Sequence, residues 1–158
     1  MIKTALLVAC LFLFAPTAFA QTNPERKSLK GISAVPVLVQ VTDGSGTTSS
    51  LLQSYVELQL RKAGIRVPSD NARIKQDGYA VLSVLVLSNP DHTISAIEVE
   101  LLQAVSLARD PTIKKIVATW KARTWGGDIA SMDVNIKRGV SEQLDNFIND
   151  YLAVNPAK

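Results

Sequence analysis

The stretch Thr93–Trp125, TISAIEVELLQAVSLARDPTIKKIVATWKARTW, decides the fold. Arg109-Asp110-Pro111-Thr112 is rich in turn formers and divides it into two strands, about Thr93–Leu107 and Ile113–Trp125. In the first strand Ile97, Val99 and Leu101 point one way and Glu98 and Glu100 the other. In the second, Ala118, Trp120 and Ala122 alternate with Thr119, Lys121 and Arg123. A turn centred between Asp110 and Pro111 sets Glu100 opposite Lys121 and Glu98 opposite Arg123. A shift by two residues sets Glu100 opposite Arg123 instead. Either way acids meet bases on an outer face, while Leu101 and Trp120 share the inner one. Two patterns distant in sequence agree on one hairpin.

Working outward, Ser88-Asn89-Pro90-Asp91-His92 is a second turn, and Tyr79–Leu87 a third strand of the same antiparallel meander. Upstream of a polar connection, Ser69–Gly78, the chain reads β-α-β. Ile32–Val41 alternates as a strand whose Pro36 favours an edge or bulge, and its largely apolar faces predict cover on both sides for part of its length. Asp43-Gly44-Ser45-Gly46 breaks it. A helix from about Thr48 to Ala63 follows, with Leu51, Leu52, Tyr55, Val56, Leu60 and Ala63 on one face and Gly64 as a left-handed stop. Ile65–Val67 reads as a short strand, parallel to the first because a crossover joins them. Downstream, Met132, Ile136, Val140, Leu144, Phe147 and Tyr151, joined by Ile148 and Leu152, mark a helix over about Ser131–Ala153. Gly139 inside it costs about 1 kcal/mol against alanine unless close packing needs it. The fold class is therefore α+β, ordered β-α-β-β-β-β-α. Two amphipathic helices pack on one face of a mixed, mostly antiparallel sheet of four to five strands.

The beginning of the chain has a different character. Lys3, the apolar run Ala5–Phe14 and Ala18-Phe19-Ala20 form the pattern of a cleavable signal peptide over residues 1–20. The run is shorter than the roughly 20 residues a bilayer span needs, so no transmembrane segment is expected in the mature chain. Leu7-Val8-Ala9-Cys10 resembles a lipoprotein box, but the chain stays apolar after Cys10, which reads as part of the signal core. Residues 21–30 are a polar, flexible arm, and 31–155 one α+β domain. Cleavage near Ala20 leaves a periplasmic or secreted chain without cysteine, which excludes disulfides and thiolate chemistry. The weak net charge of +3 for the whole chain argues against a nucleic-acid partner.

The residues that carry chemistry are sparse. His92 is the single histidine and stands in a proline turn, so neither a catalytic triad nor a metal site is supported, and no cofactor motif is present. Glu98 and Glu100 have the spacing of an acid/base pair, but Lys121 and Arg123 opposite them make a structural charge ladder. Asp43–Ser49 stands where phosphate loops do, without the Gly-Lys-Ser/Thr ending. Trp125 falls by parity on the polar face with Lys121 and Arg123. Tyr79, Val81, Leu85 and Leu87 share that face through the neighbouring hairpin, and the group marks a candidate partner surface.

The segments Leu29-Lys30-Gly31-Ile32, Leu60–Val67 and Phe147–Pro156 resemble small exported bacterial proteins without assigned function. The element order is also similar to envelope modules such as the TolB N-terminal domain and LptE-like proteins, which implies action through protein or lipid contacts. The expected function is a non-enzymatic periplasmic binding or accessory domain acting through an envelope protein. The alternative is a carrier of a small apolar ligand, with a pocket lined by Trp120, Leu101 and Tyr55. An unrecognised hydrolase is a third reading.

Overall fold

The computed structural model of the protein describes residues 24–42, 49–68, 80–88, 95–126 and 132–156. The elements run α1 (Pro24–Lys27), β1 (Val37–Val41), α2 (Ser49–Lys62), β2 (Ala80–Ser88), β3 (Ser95–Leu107), β4 (Asp110–Gly126) and α3 (Met132–Val154). Four strands form one sheet in the order β1-β2-β3-β4. β1 runs parallel to β2, and β2, β3 and β4 are successively antiparallel. This is the expected α+β architecture.

Residues of alternate parity build the core. Val37 and Val39 of β1, Leu82, Val84 and Val86 of β2, Ile97, Val99 and Leu101 of β3 and Trp120 of β4 are buried together. They meet Leu52, Val56 and Leu60 of α2 and Ile136, Val140, Leu144, Phe147 and Tyr151 of α3. Trp120 packs edge-on to Phe147 with ring centroids 5.2 Å apart. Lys137 of α3 sits over the Tyr55 ring of α2 at 5.7 Å, a cation–π contact between the helices. At Gly139 α3 lies close against the sheet: a Cβ there would meet Ile97 Cδ1 at 2.5 Å. Close packing therefore explains a glycine inside a helix. No helix among the described residues is long and apolar enough to cross a membrane.

The structure corrects several sequence expectations. Ile65–Val67 is not a strand. Gly64, at φ 79°, ends α2 in a Schellman motif, with Gly64 N–H donating to Arg61 and Ile65 N–H to Leu60. Ile65 is thus the apolar residue that closes the helix end, and among the described residues only Val35 N–H reaches across, to Arg66 O at 2.9 Å. The parallel partner of β1 is β2 instead. Leu51 and Leu152, assigned to the buried stripes, are exposed, as is Leu38 on the second face of β1. The β3–β4 turn lies at Ala108-Arg109, with Leu107 paired to Asp110, not at Asp110-Pro111. Two irregularities on the β4 side, at Pro111–Ile113 and at Thr119, restore the register. As a result Glu98 pairs with Arg123 and Glu100 with Lys121, the first of the two registers that the charge pattern allowed.

The polar segment expected to be a free arm is packed down from Pro24 onward. Leu29 is fully buried, because α1 turns it into the core. Arg26 binds Asp150 through Nε at 2.7 Å and a terminal nitrogen at 2.6 Å, and Trp120 Nε1 donates to the same carboxylate at 2.9 Å. Asn155 accepts from Gly31 N–H at 2.8 Å and donates to Leu29 O at 2.9 Å. Tyr151 donates to Ile32 O at 2.5 Å. Gln103 donates to Ser28 O and to Thr119 Oγ1, and Ser28 donates to Thr119 O at the β4 bulge. Arm, α3 and β4 form one latch.

Candidate functional site

Because α2 and α3 pack on the same face of the sheet, the other parity of every strand forms a second face that no described element covers. Its rows follow from the register. Leu38, Ser83, Glu100 and Lys121 make one row, and Gln40, Leu85, Glu98 and Arg123 the next. A further row carries Leu87, Ala96 and Trp125. At the opposite end Val81 pairs with Leu102, which pairs with Ala118.

Trp125 is 67% exposed, a large value for the most apolar surface a side chain can present. Leu87 is exposed in the same row, and the small Ala96 between them is buried. Lys121 and Arg123 are exposed, and Leu85 is half-buried. Val81, expected on the surface, is 8% exposed, set between Pro36 and Leu102. Tyr79 and His92 lie outside the described residues. The sequence reading omitted Leu38, which the β1–β2 register places on the same face.

Arg123 and Glu98 stand 3.9 Å apart, at the outer limit of an ion pair, and both are partly solvated. Together with Glu100, Lys121 and Ala122 they line a shallow groove of about 70 Å³. Glu98 opposite Arg123 and Glu100 opposite Lys121 form a polar strip of fixed order, flanked by Trp125 and Leu87 on one side. The face can therefore recognise a surface that offers apolar contact beside complementary charge.

Two other places were candidates for a ligand. Trp120 and Leu101, expected to line an apolar pocket, are packed into the core. A cleft of about 300 Å³ lies instead between the arm and the end of the sheet, lined by Lys30, Gly31, Ile32, Ser33, Ala34, Ala80 and Gln103. Among titrating groups, burial pushes the Tyr151 phenol up from its usual value. At the β3–β4 tip, Thr112 donates to Asp110 from its hydroxyl at 2.6 Å and its N–H at 3.0 Å. Those bonds hold the Asp110 carboxyl below its usual value. Among the described residues no three His, Cys, Asp or Glu side chains gather as metal ligands.

The chain is similar in fold to a PelC variant dodecamer from Paraburkholderia phytofirmans. They are 16% identical, with 71% of this chain and 85% of that chain covered and a TM-score of 0.44. A second PelC dodecamer from the same organism is 13% identical over 75% of this chain and 87% of that one, with a TM-score of 0.39. A minor lipoprotein from Acinetobacter baumannii is 9% identical over 78% and 94%, with a TM-score of 0.29. None of these three is a TolB or LptE protein. No family model and no curated protein matches the sequence.

Proposed function

We propose that the chain is a non-enzymatic accessory domain of the bacterial envelope that binds a protein partner through the open face of its sheet. The observation that carries this reading is the row Leu87–Ala96–Trp125 beside the Glu98–Arg123 and Glu100–Lys121 ladder. An exposed tryptophan on a rigid strand, next to ordered charges, has the composition of an interface centre with a polar rim. The signal-like residues 1–20 support action outside the cytoplasm. Trp120, tied to Asp150 and packed on Phe147, is part of the core and speaks against a pocket built around it.

The test is site-specific photocrosslinking in cells of the protein's own host. A crosslinking amino acid is placed at Trp125, at Leu87, or at Ser54 on the exposed side of α2. One discrete adduct from Trp125 and Leu87, missing from Ser54, is the expected result. Equal adducts from all three positions, or none from Trp125, would refute the proposal.

A further inference from the structure

The β3–β4 hairpin reaches beyond the rest of the sheet. β2 begins at Ala80, opposite Gln103, so among the described residues β3 pairs with β4 alone from Ala104 to the turn. This two-stranded arm carries exposed aliphatic side chains on a segment that folding alone gives no reason to leave in water. Ile116 is 73% exposed, and Ile113 and Val117 are 38% and 39% exposed. Between Leu102 and Ala118 the chain has Arg109, Lys114 and Lys115 against a single acid, Asp110. That acid is engaged within the turn by Thr112.

Strand parity distributes these groups. Lys114 and Ile116 face one side of the ribbon, and Lys115 and Val117 the other. The Lys115–Val117 side therefore sets an aliphatic group beside an ammonium on a long apolar stem, and Ile116 stands exposed on the other. That combination suits the boundary between lipid headgroups and acyl chains, where the aliphatic group enters and the ammonium reaches back to phosphate. From these placements we infer that the arm is a membrane-contact element, which rests on a phospholipid surface rich in anionic headgroups. The positive balance of the arm selects anionic over zwitterionic lipid. The contact is separate from the Trp125 face and does not depend on it.

The experiment is vesicle flotation at low salt with the protein purified from its own host. The vesicles are phosphatidylcholine alone, or an equal mixture of phosphatidylcholine and phosphatidylglycerol. The protein is expected to float with the mixture and not with phosphatidylcholine alone. Lys115→Gln should weaken the apparent affinity by about five-fold, the usual effect of one basic side chain at an anionic surface. Ile116→Ser should weaken it as well, and both variants should keep the thermal midpoint, since both side chains are exposed. Trp125→Ala should float as the unaltered protein does. Failure of the unaltered protein to float with the mixture overturns the inference. So does flotation that the Lys115→Gln, Ile116→Ser double variant retains in full, or that Trp125→Ala abolishes.

Discussion

Replacing Gly139 by alanine tests how α3 lies on the sheet. The added Cβ would stand 2.5 Å from Ile97 Cδ1 and 3.4 Å from Thr124 Cγ2. Carbon atoms pack best at about 3.5–4.0 Å, so the end of Ile97 must retreat by roughly 1 Å. Ile97 is itself buried in the core, and overpacking of that kind costs about 1–3 kcal/mol. Alanine returns about 1 kcal/mol through its helix propensity. The expected net loss is therefore about 1 kcal/mol, read as a lowered urea midpoint at unchanged slope. The coupling is sharper than the sum. Ile97→Val removes the clashing methyl and alone costs about 0.5–1.5 kcal/mol. In the Gly139→Ala background the new Cβ occupies the space that methyl leaves. The double variant should then be more stable than additivity predicts, by at least about 1 kcal/mol. Additivity within about 0.5 kcal/mol would show that helix and strand do not meet at this point, and the packing argument would fail.

Three further outcomes are expected. Asp150→Ala leaves the buried Trp120 N–H without its acceptor and should cost about 1–3 kcal/mol in urea unfolding; the loss should shrink in a Trp120→Phe background, which lacks the donor. Tyr151 holds its proton more tightly folded than unfolded, so its contribution is complete below its ordinary value of 10.0 and is lost as pH rises through the higher folded value. Stability should therefore fall above that pH, and Tyr151→Phe, which gives up about 1 kcal/mol of hydrogen bonding at neutral pH, should flatten the alkaline limb. Asp110 is shifted the other way: the turn bonds are intact above its ordinary value of 3.8 and are lost as pH falls through the lower folded value. Carbon-detected NMR titration should place its midpoint below that of an unstructured peptide, and Thr112→Ala should move it back up.

The hairpin could be read from sequence because two constraints converge on it. Glu98 and Glu100 must leave the core and Lys121 and Arg123 must also leave it, which allowed two registers; the structure takes the one that sets Leu101 directly opposite Trp120. The turn itself was misplaced. Pro111 and Thr112 look like turn residues, but they belong to an irregularity in β4, and the register survives because the two distortions offset the earlier turn. Ile65 misled for a related reason. A β-branched residue between Gly64 and Pro68 has strand composition, yet its burial serves a helix end. Leu51 and Leu152 carry the right spacing, but each helix meets only one layer, so the apolar stripe is wider than the surface it covers. The docking of the arm left almost no signal, since its partners Asp150, Tyr151 and Asn155 are more than a hundred residues away. The segments Leu29–Ile32 and Phe147–Pro156, which carry the resemblance to exported proteins, prove to bind each other. The open face was half legible: parity assigned Trp125, Leu87, Lys121 and Arg123 to it. It could not show that Val81 is buried in its row, or that Leu38 joins the face.

The latch also sets the order in which this protein can be completed. Arg26 precedes Asp150 by 124 positions in the chain. The meander β2-β3-β4 is built from neighbours in sequence and can pair as soon as it emerges, because closing short loops costs little entropy. Leu29, Ile32 and Trp120 must wait for Asp150, Tyr151 and Asn155 before their polar groups are matched. A chain that has not yet reached Asp150 is therefore an unsealed sheet. A chain stopped just before Asp150 keeps nearly every core residue of the fold but loses the means to hold Arg26–Ile32 in place.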